Sequence, residues 1–244
     1  MISSIFHAAL YNPIYNALVA LVAVIPGGEV GVAVIALTIV IRIVLLPLSL
    51  AVARSQRRMR ELEPKLKELK EKYPNKQEQA AKTLELYRTE RVNPFTSILP
   101  IFIQIPVLLA LFLVFRYEPF SSIHIELLYA FTPVPGNVSD SLFGLIAMGE
   151  KSMLLAVLAG GTQYLQSIFA LRNAPKPEGT GMQADFSRAM NVQVKYVFPI
   201  LIGAIAYSTS AAIALYFVTT NIIGTLQELY VQRKFSSKAN VQIS

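Results

Sequence analysis

Arg42 is the residue of this sequence whose position carries the largest energetic cost. It lies in an uncharged stretch, Val30 to Ala53, with the length and apolar composition of a membrane-spanning helix. An arginine at the centre of such a helix costs roughly 2.5 to 3.5 kcal/mol on insertion scales. Arg42 is about 11 residues, or roughly 16 Å, from either end of the stretch, whereas snorkelling to the membrane surface suits helix ends. We therefore expect Arg42 to face a polar cavity within a helix bundle.

Other polar residues recur at helical spacing in the apolar stretches. Thr38 and Ser49 share a helix face with Arg42, and a seven-residue interval places Ser97 and Gln104 on one face of a second stretch. Taken singly, such residues more often hydrogen-bond neighbouring helices than bind a ligand. Taken together, they suggest a hydrophilic groove. The further polar residues of this set are Thr162, Gln163 and Gln166 in the third stretch and Tyr216, Thr220 and Asn221 in the fifth.

The apolar stretches contain no acidic residue that could pair with Arg42. The nearest candidates, Glu29, Glu150 and Glu228, lie at the edges of the stretches. The guanidinium therefore requires water, amide oxygens or an incoming carboxylate as its partner.

Composition restricts the possible classes of function. The chain is 54% hydrophobic with bunched charges, which indicates an integral membrane protein. It has no cysteine and only two histidines, 117 positions apart, so we expect no disulfide, thiol chemistry, metal centre or cofactor. No phosphate-binding glycine loop is present. The amino terminus lacks the basic stretch of a secretory signal, so either the chain is complete as written or a targeting segment has been trimmed.

The hydropathy pattern predicts an all-α integral membrane protein with five transmembrane helices. A cytoplasmic helical hairpin separates the first span from the second, and an interfacial helix precedes them. The predicted segments are the interfacial helix 1–28, first span 29–53, hairpin 54–92, second span 93–116, extracytoplasmic loop 117–150, third span 151–171, cytoplasmic loop 172–189, fourth span 190–208, fifth span 209–232 and cytoplasmic tail 233–244.

The amino-terminal helix is assigned to the membrane surface because its strongly apolar part, Ala17 to Ile25, is shorter than the roughly 17 residues that a crossing needs. Pro13 interrupts the segment, and Pro26-Gly27-Gly28 closes it. A sixth crossing is the competing interpretation.

The segment from Arg54 to Arg91 is predicted to be a hairpin of two helices. It holds twelve of the 22 Lys and Arg residues, together with seven Glu, around a thin apolar seam. Pro64 should start a new helix or bend the first, and Pro74-Asn75 makes a turn. The segment is either a solvated connector or a functional element, and its composition leaves both open.

The distribution of Lys and Arg predicts the orientation. The hairpin, the loop between the third and fourth spans and the tail are basic, whereas the opposite side has only Arg116 and Lys151 at span edges. The positive-inside rule places the amino terminus outside and the hairpin and tail in the cytoplasm.

Several runs of this sequence resemble a known family. The run from Thr38 to Pro47, the hairpin run Glu63-Pro64-Lys65-Leu66-Lys67-Glu68-Leu69 with Lys72-Tyr73-Pro74, and Asn93-Pro94-Phe95 before Leu99 to Pro106 are similar to YidC-type membrane protein insertases. The later run Ala214 to Asn221 is similar too. Order, spacing and the five-span plan match over nearly the whole chain.

The resemblance implies a monomeric insertase with a water-filled groove, open to cytoplasm and lipid and closed toward the outside. In the family, Arg42 matches the positive charge of the groove, Gln104 a lining amide, and Tyr216-Phe217 the aromatic pair that meets the apolar segment of a client. Many members have tryptophan where this chain has Phe217, which keeps an apolar face but lacks the indole donor. The large external domain of some bacterial relatives and a long basic tail are absent from this sequence.

The resemblance also implies partners and a location. We expect nascent membrane proteins as clients, a ribosome, targeting factor or secretory translocon as source, membrane lipid as surroundings, and no sequence-specific nucleic acid. The bacterial inner membrane is the expected location. The hairpin would receive clients through Arg57, Arg58, Arg60, Pro64 and Tyr73.

Three other functions compete with the insertase. A small transporter or channel for an anionic solute could use Arg42 as its binding charge, although the two halves of the chain do not mirror each other. An intramembrane hydrolase is less favoured, since no His, Asp or Glu lies within a predicted span and we expect no enzymatic activity. A structural assembly factor could show similar polarity at its helix contacts.

Overall fold

The protein is described by a computed structural model covering residues 2–93, 99–118, 123–172 and 188–241. This part of the chain is mostly helical, with one short β-ladder in the loop after α6. The elements are α1 (Ile2–Phe6, the π-helical turn His7–Tyr11, and Asn12–Val24), α2 (Val30–Val44), α3 (Leu46–Glu61), α4 (Glu63–Lys72), α5 (Lys76–Thr89), α6 (Leu99–Tyr117), β1 (Ser141–Leu142), β2 (Ile146–Ala147), α7 (Met153–Arg172), α8 (Arg188–Ser208, with a π-helical turn at Gln193–Val197) and α9 (Ala211–Val241).

Three helices in the described residues are long and apolar enough to cross a membrane. They are Ser4–Val24, Met153–Arg172 and Arg188–Ser208, and α2 with Leu46–Met59 would make a fourth if the bent pair is one span. Gln104–Tyr117 is a shorter apolar helix. The fold is that of a helical membrane protein, and the five-span layout stays a prediction.

The first helix has the length of a span, which corresponds to the alternative that the sequence left open. The π-helical turn at His7–Tyr11 runs straight into Asn12–Val24, so Pro13 does not end the helix. Pro13 lies in the first turn of Asn12–Val24, where its missing N–H costs little. Tyr15, Leu18 and Val19 are buried against the other helices. The interfacial location of this segment is not tested by the structure.

The predicted first span is bent rather than straight. The axes of α2 and α3 differ by 52° across Leu45, and Arg42 occupies the last turn of α2 instead of the middle of a continuous helix. Pro47 supplies the physical reason, since its ring lacks an N–H and crowds the carbonyl of Ile43. Beyond the bend, α3 runs without a break into the charged segment and ends at Glu61.

The charged segment contains the helices α4 and α5. Pro64 lies in the first turn of α4, and the side chain of Asn75 caps α5 by accepting a bond from the Gln77 N–H. An ion pair between Lys65 and Glu90 brings the start of α4 beside the end of α5. No side chain of α5 is buried, and the buried apolar residues beside this pair are Leu62 and Val92 at its ends, so the apolar contact within the pair is thin.

The helix α9 forms the centre of the packed region. Every residue from Ala211 to Asn221 is buried, although a helix at the edge of a bundle would show one exposed face. The Asn221 side chain donates to the Ala159 carbonyl (3.3 Å) and to the Thr162 hydroxyl (3.2 Å), which ties α9 to α7. Such amide contacts commonly join helices within membranes.

Hydrogen bonds join the starts of α2 and α9 to the loop that contains the β-ladder. The Val30 N–H donates to Ser139 (3.0 Å), and the Ala212 N–H donates to Met148 (3.1 Å). The Phe143 N–H donates to the Glu29 carboxylate (2.7 Å). These bonds bring the loop containing the β-ladder against the starts of α2 and α9.

The loop after α6 is fixed by one buried amide. The Asn16 side chain donates to the carbonyls of Asn12 and Leu127 and accepts from the Tyr129 N–H and the Thr132 hydroxyl. All of its polar atoms are therefore satisfied. Between Ile123 and Phe131 this loop contains one short 3₁₀ turn, Ile125–Leu127.

A carboxylate at the end of α6 joins the same loop to α1. Glu118 is 6% exposed and accepts a hydrogen bond from the Tyr11 hydroxyl, while its other oxygen contacts Nδ1 of His124. The His124 N–H donates to the Tyr15 hydroxyl (3.0 Å). The neighbouring carboxylate raises the pKa of His124 above its ordinary value, and Glu126 adds to this effect.

This contact predicts a pH-dependent stability. The imidazolium is stabilised in the folded state, so its contribution is complete below the unfolded pKa of about 6.5 and is lost as the pH rises through the raised folded value. We expect the difference in melting temperature between the native chain and the His124→Gln variant to shrink as the pH rises above about 6.5. Thermal unfolding in detergent over this pH range measures it, and a difference that does not change with pH would contradict the role of the imidazolium.

Candidate functional site

The guanidinium of Arg42 lies against the backbone of the central helix. Its Nη2 donates to the carbonyl oxygen of Thr220 at 3.0 Å. The residue is half-buried, so the charge is withdrawn from bulk water but not sealed away. A carbonyl oxygen has two lone pairs, so Thr220 can accept from Arg42 as well as from its own helix.

An amide and a hydroxyl extend the site toward α6. The Gln104 side chain donates to the Tyr216 hydroxyl, and the side chain of Thr220 also interacts with that hydroxyl. Tyr216 is 2% exposed. One turn of α9 therefore supplies both the carbonyl that binds Arg42 and the hydroxyl that binds Gln104.

A glycine makes room for a further amide at this site. A Cβ atom at Gly224 would overlap the amide of Gln166 and would lie 3.6 Å from Nη2 of Arg42. Gln166 therefore approaches the guanidinium over the bare backbone of Gly224. We call Arg42, Gln104, Gln166, Tyr216 and Thr220 the polar cluster.

Gln166 is the glutamine of α7 whose approach to this site is described. The sequence places both in the polar set of the third span but selects Gln163 for the groove. No described contact joins Gln163 to the polar cluster. The sequence feature that points to Gln166 is Gly224 in α9, because a glycine leaves room for a long polar side chain from a neighbouring helix.

The polar cluster contains no carboxylate among the described residues. No Asp or Glu in the described ranges comes within ion-pair distance of Arg42, and its one described hydrogen bond is to Thr220. A guanidinium carries five N–H donors. The remaining donors are thus available to water or to an incoming carboxylate or carbonyl oxygen.

Two other predicted groove residues turn back on their own helices. The Thr38 hydroxyl donates to the Val34 carbonyl (2.7 Å), and the Ser49 hydroxyl donates to the Leu45 carbonyl (3.1 Å). Thr38 is 2% exposed, and Ser49 lies beyond the bend. Ser97 lies outside the described residues.

Phe217 packs inside the protein in this conformation. Its side chain is 4% exposed, and its ring centroid lies 5.7 Å from that of Tyr216. The resemblance assigns this aromatic pair to contacts with a client. In the structure both rings belong to the interior, so such a contact requires neighbouring helices to separate.

The residues predicted to receive clients lie on α3, α4 and the turn after α4. Arg57 pairs with Glu61 (2.8 Å), Arg58 is exposed, and Pro64 begins α4. Tyr73 is half-buried below the ammonium of Lys72. The side chain of Arg60 lies outside the described residues.

The described residues offer few side chains for metal binding or for hydrolysis. No group of three or more His, Asp or Glu side chains there could hold a metal ion. The polar cluster has amides, hydroxyls and one cation, and it lacks the paired acids or nucleophile and base that hydrolysis requires. The arrangement can bind an anionic or hydrogen-bond-accepting group.

Comparison with known proteins identifies the family. The sequence model of the family described as 60Kd inner membrane protein matches residues 21–238. The chain belongs to this family. Among relatives named Membrane protein insertase YidC, the Fusobacterium nucleatum protein is 35% identical over 208 residues, covering 85% of this chain and 88% of the relative. The Clostridium tetani protein is 30% identical with 85% and 84% covered, and that of Oceanobacillus iheyensis is 29% identical with 85% and 76% covered.

Membership of the family confirms the resemblance found in the sequence. The family match runs from α1 into α9 and includes every residue of the polar cluster. The competing interpretation as a transporter for an anionic solute gains no support from these relatives.

The setting of Arg42 predicts that this residue contributes little to folding. Replacing it by methionine removes one hydrogen bond, which lowers the stability of the fold. It also removes one partly desolvated charge, which raises the stability, and it keeps an unbranched apolar stem. We expect Arg42→Met to leave the free energy of unfolding within about 1 kcal/mol of the native value. Thermal unfolding in detergent, followed by circular dichroism, measures it.

Asn16→Leu is the matched control for a structural polar residue. It leaves the buried groups around Asn16 without partners and should destabilise the fold by about 1 to 3 kcal/mol. If Arg42→Met lowered the free energy of unfolding as much as Asn16→Leu does, the role of Arg42 would be structural.

Proposed function

We propose that this chain is a membrane protein insertase and chaperone. It moves short hydrophilic tails and apolar helices of nascent proteins from the cytoplasm into the bilayer through a hydrophilic groove. The observation that carries this proposal is the guanidinium of Arg42, half-buried and bound to a backbone carbonyl without a carboxylate partner among the described residues. The names of the relatives support the same function.

Electrostatics gives the groove its selectivity for a client. An acidic side chain entering from the cytoplasm meets a cation in surroundings of lower effective dielectric than water, where their attraction is stronger. The amides of Gln104 and Gln166 offer hydrogen bonds to the polar backbone of the client tail. The hydrated tail thereby crosses part of the bilayer in contact with polar groups instead of lipid.

No nucleotide is needed to drive this transfer. A carboxylate that moves outward across a membrane with a negative interior gains about 2.3 kcal/mol per 100 mV. Each Leu, Ile, Phe or Val of the client helix that reaches the bilayer centre contributes a further 0.3 to 0.6 kcal/mol, roughly. Together these terms offset the cost of transferring a short tail.

The two ends of α2 differ in a way that suits one-sided entry. Near Val30 the helix is tied to the loop that contains the β-ladder, whereas near Arg42 it ends at the bend before α3. In the predicted orientation the tied end faces outward and the bend faces the cytoplasm. A groove around Arg42 would then admit a client from the cytoplasm while its outer end stays closed.

The finer architecture belongs to the same proposal. We assign five spans, with an amino terminus outside and a carboxyl terminus in the cytoplasm of a bacterial cell whose inner membrane holds the protein. Acting as a monomer, it would receive its clients from a ribosome, a targeting factor or a secretory translocon. The helices α4 and α5 form a cytoplasmic entrance that captures clients through their basic surface.

Substitution of Arg42 tests the central role. With Arg42→Ala we expect about a tenfold slower insertion of a client whose tail carries two acidic residues, because the charge-assisted contact is lost. Arg42→Lys should retain part of the rate, since lysine keeps the charge but not the planar donors. Reconstituted proteoliposomes and a protease-protection assay measure the rate.

A series of client tails provides the control. Insertion of the same client with a neutral tail should change by no more than about twofold in Arg42→Ala, because the lost contact involves charge. Unchanged insertion at every tail charge would remove the proposed role of Arg42.

Deletion of the entrance tests the second role. Replacing Arg57 to Thr89 by a flexible linker should slow client capture while the melting temperature of the remaining helices stays close to native, because α5 buries no side chain. Crosslinking of stalled nascent chains measures capture. Loss of the folded protein would instead show that the segment is a structural connector.

A further inference from the structure

A groove on the surface of α7 and α8 is independent of the polar cluster. It has a volume of about 570 Å³, and its walls come from the two helices. Val157 and Ile200 line it and are 63% and 73% exposed, so the groove opens outward. In a membrane protein, apolar residues exposed in this way face lipid.

Glycines create the depth of this groove. The helices approach closely at Gly160 and Gly203, where a Cβ on Gly160 would lie 3.6 Å from the Cα of Gly203. Gly161 lies one position further along α7, and a Cβ there would meet nothing within 4 Å. The groove is therefore empty space beside a tight contact between helices, with room for a flexible apolar chain.

Tyrosines and a lysine mark one end of the groove. The rings of Tyr164 and Tyr196 lie 6.1 Å apart, and the ammonium of Lys195 lies 5.1 Å from the centroid of the Tyr196 ring. Neither α7 nor α8 contains an acidic residue, whereas Arg172 ends α7 and Arg188 begins α8 at the same side of the pair. The end of the groove nearer to these two arginines therefore has the ammonium of Lys195 and two phenol hydroxyls beside it, which complement a phosphate group.

We propose that the groove binds an anionic phospholipid of the cytoplasmic leaflet. One acyl chain lies along Val157, Gly161 and Ile200, and the phosphate group binds at Lys195 beside the tyrosine hydroxyls. Basic pockets between transmembrane helices on the cytoplasmic side are known to suit anionic headgroups. This inference rests on the orientation given under Proposed function, which puts Arg172 and Arg188 on the cytoplasmic side, and is independent of the action of the protein as an insertase.

Tryptophan fluorescence tests the proposal, because the native chain contains no tryptophan. Val157→Trp places a single reporter at the groove, and Leu158→Trp places one on the same helix at a residue that does not line it. Each variant is reconstituted in mixtures of phosphatidylglycerol and phosphatidylcholine in which one lipid carries brominated acyl chains. The ratio of quenching by the two brominated lipids gives the relative binding at each position.

We expect about a fivefold preference for phosphatidylglycerol at Val157→Trp and about equal binding at Leu158→Trp. Adding Lys195→Gln should bring the first ratio close to one, since the cation is lost. Adding Gly161→Leu should reduce it as well, because the side chain fills the groove. Ala204→Leu, an exposed position of α8 outside the groove lining, should change nothing.

The outcomes separate a specific site from ordinary contact with lipid. Equal ratios at both tryptophan positions, or a preference that survives Lys195→Gln, would overturn the proposal. Circular dichroism of each variant establishes that the helices are intact, so a lost preference cannot be ascribed to unfolding.

Discussion

The organisation of this protein depends on a charge that the fold holds half-buried within the helix bundle without neutralising it. The Nη2 atom of Arg42 donates to the Thr220 carbonyl, and no carboxylate of the described residues lies within ion-pair distance. A built-in ion pair would satisfy the guanidinium and remove its attraction for anything else. A single backbone acceptor instead fixes its position and leaves most of its donors unused. In the proposed function, the cost of keeping Arg42 there is what gives this residue its attraction for an acidic group of the client.

The surrounding helices maintain this state because the two ends of the bundle are built differently. At the end near the β-ladder, backbone bonds join the starts of α2 and α9 to the intervening loop. At the other end, the half-buried side chain of Arg42 binds the Thr220 carbonyl, and the Gln104 side chain binds the Tyr216 hydroxyl. Arg42 lies in the last turn of α2. Near the β-ladder two of these bonds join backbone groups and a third joins Phe143 to Glu29, whereas near Arg42 each bond involves a side chain. In the proposed function, the bundle therefore opens at the end that contains the polar cluster.

The sequence allowed the helical class and the central residues of the site to be predicted, because both depend on local periodicity. A charge in an apolar stretch identified Arg42, and helical spacing grouped the polar residues of each span. Rotation of one helix against another is not local, so helical spacing alone cannot decide which of Gln163 and Gln166 approaches Arg42. The bend at Leu45 follows from Pro47, which lies within an uncharged apolar stretch and so leaves the hydropathy pattern of a straight span intact. The burial of Phe217 depends on α9 being central, which no pattern within that helix reveals.

The aromatic pair of α9 connects the charge with the proposed movement of a client. Tyr216 is buried, and its hydroxyl accepts a bond from Gln104 on α6, so the same contact that completes the polar cluster also closes the space beside it. A hydrogen bond of this kind contributes only about 0.5 to 1.5 kcal/mol, since both groups can find other partners. The polar backbone of an entering tail supplies such partners, so exchange of the bond costs little while separation of α6 from α9 exposes the rings. Arg42 would then bind the tail as Tyr216 and Phe217 become available to the apolar helix that follows it, which couples the two stages of insertion through one turn of α9.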